Sequence, residues 1–193
     1  MKKQRKQIII MAVFLGFLIV SYFGLGAYND AQSKEEDENQ KEPITVIDLD
    51  YNNVVAFSYN FEEESNSFTQ KDDIWSYDAD AAFDVDESMV ATMLEDACEL
   101  MAQDYYDAYE SLDNYGLDAP QKTITMSFAD GSVVKLKLGN YNDIVGYYYL
   151  MVEGDSNLYL VDSTLFDSFD VSYTDLEVVV EETETTSEET EQE

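Results

Sequence analysis

Residues 8–28, IIIMAVFLGFLIVSYFGLGAY, carry no charge and follow directly on the basic head MKKQRK. A helix needs about 20 mainly apolar residues to cross a bilayer. Lys2, Lys3, Arg5 and Lys6 lie on the N-terminal side of this run, and an excess of Lys and Arg marks the cytoplasmic side of a span. The run therefore reads as a transmembrane anchor over 8–28, with residues 1–7 in the cytoplasm and everything after Tyr28 outside it. A cleaved signal peptide is the alternative, since Gly24-Leu25-Gly26 offers a small-x-small site. The uncharged run exceeds the roughly 7–15 apolar residues of a typical signal, which favours the uncleaved anchor. No cysteine lies near its end, so a lipoprotein anchor is excluded.

The charge is segregated. All 42 acidic residues follow Tyr28, against Lys34, Lys41, Lys71, Lys122, Lys135 and Lys137. Such a chain does not suit nucleic acid, which rewards positive patches, nor an anionic lipid surface. It suits solubility, cations or a basic partner surface. There is no histidine, which removes the commonest general base and metal ligand. The single cysteine, Cys98, leaves no intrachain disulfide, so the exported part relies on an apolar core.

Residues 29–43 hold no large apolar side chain and read as an acidic linker; the stretch 178–193 reads as a disordered acidic tail. Between them lies one folded domain, 44–177. A short β-rich run at 44–49 is followed by a turn at 50–53. The alternation after it places Val55, Phe57, Tyr59 and Phe61 on one face. Residues 62–66 read as a polar turn. Ser67–Gln70 and Ile74–Tyr77 form a hairpin across Lys71-Asp72-Asp73, with Trp75 a core or sheet-packing residue. Nothing nearby in the sequence completes a carbohydrate platform around that ring. Asp86 caps a helix whose apolar face holds Val90, Met93, Leu94, Ala97, Cys98 and Met101. Cys98 is expected to be buried and inert. Tyr105, Tyr106 and Tyr109 fall in a strand, and Ser111–Gly116 in a helical turn. Residues 122–128 and 133–138 flank Asp130-Gly131, a hairpin signal. Residues 146–152 and 157–161 form a second hairpin, and Ser163 caps a last short helix through Phe169. Antiparallel hairpins with one main helix and a short C-terminal helix make an α+β fold behind the transmembrane helix.

Tyr115-Gly116-Leu117-Asp118-Ala119-Pro120, Ile124–Gly131, Leu136-Lys137-Leu138-Gly139, Tyr147-Tyr148-Tyr149 and Leu158–Asp162 are distinctive together. With Asp73-Ile74-Trp75-Ser76-Tyr77, this pattern resembles the domain of unknown function 4340 (DUF4340) family over roughly residues 44–177. The resemblance implies a bacterial envelope protein with one N-terminal membrane segment. Some members of that family resemble auxiliary subunits of ABC transporters. It implies no catalytic residue. Longer members repeat the unit that this chain holds once. The matching glycines and proline have folding explanations: Gly116 ends a turn, Pro120 leads into a strand, Gly131 makes a hairpin and Gly139 ends a strand.

Asp78–Glu87 invites a calcium reading, but an EF-hand loop begun at Asp78 meets Ala82 and Phe83 where a ligand and glycine belong. A weak irregular calcium site near Asp78–Asp86 stays open. Lys71, Lys122, Lys135 and Lys137 sit in turn or strand contexts that read as solvent-facing, which leaves no lysine base for a serine nucleophile. No P-loop or dinucleotide fingerprint occurs. No catalytic, cofactor-binding or metal-binding residue is assigned. The sequence favours a non-catalytic, membrane-anchored extracytoplasmic binding or accessory module of the cell envelope, associated with a basic envelope protein or a transporter subunit. The alternatives are an envelope hydrolase or cation-dependent enzyme with an acidic site, or a protein secreted after signal cleavage.

Overall fold

Residues 122–128 alternate strictly, so that Lys122, Ile124, Met126 and Phe128 point one way and Thr123, Thr125 and Ser127 the other. In a computed structural model, which describes residues 42–178, the first set is buried. This strand, β7 (Lys122–Phe128), lies inside an eight-stranded antiparallel sheet. Preceding it in the chain are β1 (Ile44–Thr45), β2 (Val54–Phe61), β3 (Glu64–Lys71), β4 (Ile74–Tyr77), helix α1 (Glu87–Cys98), β5 (Met101–Ala102) and β6 (Asp104–Tyr106). Following it are β8 (Val133–Asn142), β9 (Tyr147–Val152), β10 (Leu158–Val161) and helix α2 (Thr164–Ser168). The sheet order is β4-β3-β2-β7-β8-β9-β10-β6, and β1 pairs with β5 in a separate two-stranded ribbon. The described residues from Pro43 onward form one compact unit. The basic head, the 8–28 segment, nearly all of the 29–43 linker and the tail from residue 179 lie outside the described residues. No helix among the described residues is long and apolar enough to cross a membrane.

Both helices cover one face of the sheet. Asp86 starts α1 as expected: its carboxylate accepts from the backbone N–H of Ser88 at 2.9 Å and of Met89 at 3.2 Å. Val90, Met93, Leu94, Ala97 and Cys98 of α1 join Phe57, Phe68, Ile124, Met126, Leu136 and Leu150 of the sheet in one core. Leu165 and Phe169 from the α2 region complete it. The Ser168 hydroxyl donates to the Asp96 carboxylate and ties α2 to α1. The result is a mostly antiparallel sheet with two helices, an α+β-like arrangement.

Several local expectations are corrected. Met101 does not extend the helical face: α1 ends at Cys98, and Leu100 exchanges backbone hydrogen bonds with Ile47 at 3.0 and 3.1 Å. That pairing captures the chain into β5 and leaves Met101 exposed. On β2 the buried residue is Val54 rather than Val55, because a bulge between Val54 and Ala56 shifts the register. The 62–66 turn shrinks to Glu62-Glu63, and Asn66 is buried within β3. β6 takes in Tyr105 and Tyr106 but stops short of Tyr109. The Ser163 side chain makes no cap bond, since its own backbone is already helical. Asp162 accepts from the Thr164 N–H at 2.9 Å instead.

Gly139 does not end a strand. β8 runs on to Asn142, and a Cβ at Gly139 would stand 2.0 Å from the Tyr115 carbonyl oxygen. The 107–121 segment crosses the sheet there, on glycine's missing side chain. Tyr115 packs edge-on against Tyr149 with centroids 4.8 Å apart. Leu117, Leu158 and Leu160 are buried outside the main core.

Candidate binding cleft

The turn Tyr51–Asn53, which leads into β2, has a hollow on each side. It is a single 3-10 turn held by Asp50, whose carboxylate accepts from the Asn52 N–H at 3.0 Å. One hollow, about 320 Å³, is closed by three elements. Tyr51 and Asn52 come from the turn. The β3–β4 hairpin supplies Gln70 and Trp75, which are direct cross-strand partners, and Asp73 from its tip. Helix α1 supplies Glu87, Ala91 and Leu94, whose i, i+4, i+7 spacing forms one stripe on the helix.

Three polar side chains of this cleft are available, while the Asn52 amide donates to Asp50 Oδ1 at 2.8 Å. Among the described residues, the side chains of Asp73, Glu87 and Gln70 have no hydrogen-bond or ion-pair partner. Asp73 and its neighbour Asp72 hold φ of 63° and 54°. A two-residue hairpin turn demands such left-handed backbone, and Asn-Gly satisfies it best. An aspartate at both positions accepts some strain in order to stand there. Trp75 is 8% exposed and packs edge-on against Phe57 at 5.2 Å. It is thus a sheet-packing residue, as its strand position implies, and it also lines the cleft.

The second hollow, about 460 Å³, is lined by Leu49, Asp50, Asn53, Phe128, Ala129, Asp130 and Ser132. Its carboxylates are engaged in turns. Asp50 holds Asn52, and Asp130 accepts from the Ser132 N–H at 2.8 Å. The Ser132 bonds keep the Asp130 carboxyl below the usual carboxylate range. This hollow offers shape without free recognition groups, so the Trp75 cleft is the better candidate.

Lys122 is the largest departure from the sequence reading. It was expected to face solvent, yet it is 3% exposed, because it is in phase with Ile124, Met126 and Phe128. Its Nζ lies 2.6 Å from Asp170 Oδ1. It also sits 5.1 Å from the Phe61 ring centroid and 5.3 Å from that of Phe166. A lysine paired and sandwiched in this way acts as a strut between β7 and the C-terminal segment. Lys135 and Lys137 stand 3.7 and 3.6 Å from Glu153 Oε1, and Lys71 is exposed. Cys98 is fully buried, 3.8 Å from Met126 Sδ, and burial pushes its thiol up to about 11.

In the acidic run 78–86, Asp80 and Asp86 serve the backbone. Asp80 accepts from the Ala82 N–H at 2.9 Å, and Asp86 is occupied by the α1 cap. Among the described residues, no group of three or more Asp, Glu, Cys or His collects where it could hold a metal ion. The cleft itself was not visible in the sequence, because Tyr51, Trp75 and Glu87 are brought together only by folding. The nearest signal was the Asp-Asp pair at a position that favours Asn-Gly.

A family described as "Domain of unknown function (DUF4340)" matches residues 75–178. The match thus begins at the tryptophan of the cleft. No curated protein and no solved structure matches the chain.

Proposed function

We propose, for a chain that belongs to the DUF4340 family, that it is a non-catalytic binding module of the bacterial envelope. Residues 8–28 hold it to the membrane, the acidic domain lies outside the cytoplasm, and the Trp75 cleft is its recognition site. The observation that carries this reading is the composition of the cleft: an indole, a phenol, two amides and two carboxylates around about 320 Å³. These are groups that orient a ligand. No serine, threonine, cysteine, lysine or histidine is among them. The chain has no histidine, and its thiol is buried and held neutral. An accessory role beside a membrane transporter fits the anchor and the family resemblance.

Site-specific photocrosslinking in intact cells tests it. A photoreactive residue at Ala91, inside the cleft, should form an adduct with another envelope component. The same residue at Thr92, exposed on the neighbouring helical position, should form far less. The rival is an acidic-site hydrolase built on Asp73 and Glu87. Absence of any adduct at Ala91, together with hydrolysis of a cell-wall or peptide substrate that is lost in Glu87→Gln, would establish that rival. Orientation has its own test: a tag after Glu193 should be removed by protease added to intact wall-less cells. Removal only after lysis would reverse the topology.

A further inference from the structure

We propose that the Trp75 cleft takes the guanidinium of an arginine presented by a basic partner polypeptide. The inference rests on the cleft being the binding site and names what enters it.

Volume sets the first limit. About 320 Å³ is at the low end of the roughly 300–1,000 Å³ of small-molecule sites, enough for one side chain. Charge sets the second. Asp73 and Glu87 both line the cleft without a partner among the described residues, and the four lysines of those residues do not supply one. Lys122 is paired with Asp170, and Lys135 and Lys137 lie against Glu153. Lys71 follows Gln70 on β3 and so projects from the opposite face of the sheet. The chain's single arginine, Arg5, precedes the membrane run. A cation must therefore come from outside the described residues, and a formal net charge of −32 favours the approach of a basic partner.

Planarity sets the third limit. A guanidinium stacks on aromatic rings, is weakly hydrated and meets carboxylates through paired N–H donors. Trp75 and Tyr51 supply rings, and Asp73 and Glu87 supply acceptors. An ammonium would use the charge but not the planar contact. A neutral sugar would use the ring but gain nothing from the field. The left-handed backbone at Asp73 is consistent with a carboxylate kept there for a ligand, since glycine would suit the turn better.

The chain has a single tryptophan, and it lines the cleft, so its fluorescence reports occupancy directly. The detergent-solubilised full chain is titrated with acetyl-Ala-Ala-Arg-Ala-Ala-amide, and with its citrulline and lysine counterparts. A saturable change is expected with arginine, a loss of roughly tenfold or more with neutral citrulline, and intermediate affinity with lysine. Glu87→Gln and Asp73→Asn should each weaken arginine binding by roughly fivefold or more. Glu95→Gln, on the exposed side of α1, should leave it unchanged. Both cleft carboxylates are exposed, so these variants are expected to fold, which circular dichroism checks. Equal binding of citrulline and arginine overturns the inference, as does an equal effect of Glu95→Gln and Glu87→Gln. A response to a neutral oligosaccharide but not to arginine overturns it and leaves the cleft a binding site. Silence of Trp75 toward every probe, with the Ala91 adduct retained, also overturns the arginine assignment alone. Loss of that adduct as well removes both readings.

Discussion

A full charge at Lys122 sits among rings, and its stability rests on unequal partners. Its side chain is 4% exposed, whereas that of Asp170 is 51% exposed. Removing the acid strands a buried cation, which is costly. Removing the lysine leaves an acid that water can solvate. Asp170→Ala should therefore destabilise by about 1–3 kcal/mol. Lys122→Met, which keeps the stem between Phe61 and Phe166, should stay within about 1.5 kcal/mol of the native protein. Denaturant unfolding of the two variants checks the order; a larger loss in Lys122→Met would mean that the cation–ring contacts dominate. Cys98 gives the opposite lesson, because its burial was legible from helical spacing alone. A thiol reagent should label it only after unfolding. Its folded thiol keeps its proton up to about pH 11, while an unfolded thiol ionises near 9.0. Its contribution to stability is therefore complete below pH 9 and lost as pH rises toward 11. Cys98→Ala should remove that alkaline loss, as melting curves across pH 8–11 would show.

Elements stand or fall on their ends. Hydrogen bonds from Ser88 and Met89 hold the Asp86 carboxyl below its ordinary range. A depressed carboxylate stabilises at neutral pH, and that contribution disappears as pH falls through its folded value. Asp86→Ala should melt below the native protein at pH 7, and the gap should close in acid. A gap that persists at low pH would mean that the cap acts through something other than its charge. At the β3–β4 turn, Asp73→Gly should relieve the left-handed backbone and stabilise by about 0.5 kcal/mol, while weakening arginine-peptide binding. Such opposed signs are expected where a strained residue is kept for a ligand. Loss of both stability and binding would show that Asp73 serves the turn alone. These ends were readable in the sequence because they are local: a capping aspartate, an Asp-Gly hairpin, strict alternation over 122–128. Ser163 failed as a cap and Gly139 as a strand end because each is decided by a neighbour, helical backbone in one case and the Tyr115 carbonyl in the other.

At the scale of the molecule, the sheet order could not be read locally. β2 leaves its hairpin partner β3 on one side and meets β7 on the other, across more than sixty residues of chain. That long-range pairing bears on the family boundary, since the match begins at Trp75 while β1, β2 and β3 precede it. Residues 75–178 alone would keep β4 but lose the two strands that join it to β7. They would also lose Phe57, Tyr59 and Phe68 from the core. β7 would become an exposed edge carrying Ile124 and Met126, a surface that invites aggregation. β5 would lose its partner β1, and Leu100 its hydrogen bonds to Ile47. A chain of residues 42–178 should therefore unfold cooperatively, whereas one of residues 75–178 should show no cooperative transition and little near-ultraviolet dichroism. A sharp melting transition in the shorter chain would mean that the matched region is itself the folding unit. β2 and β3 would then be an addition to a smaller sheet, and the cleft, which needs Tyr51 and Gln70 from outside the match, would be a property of this chain rather than of the family unit.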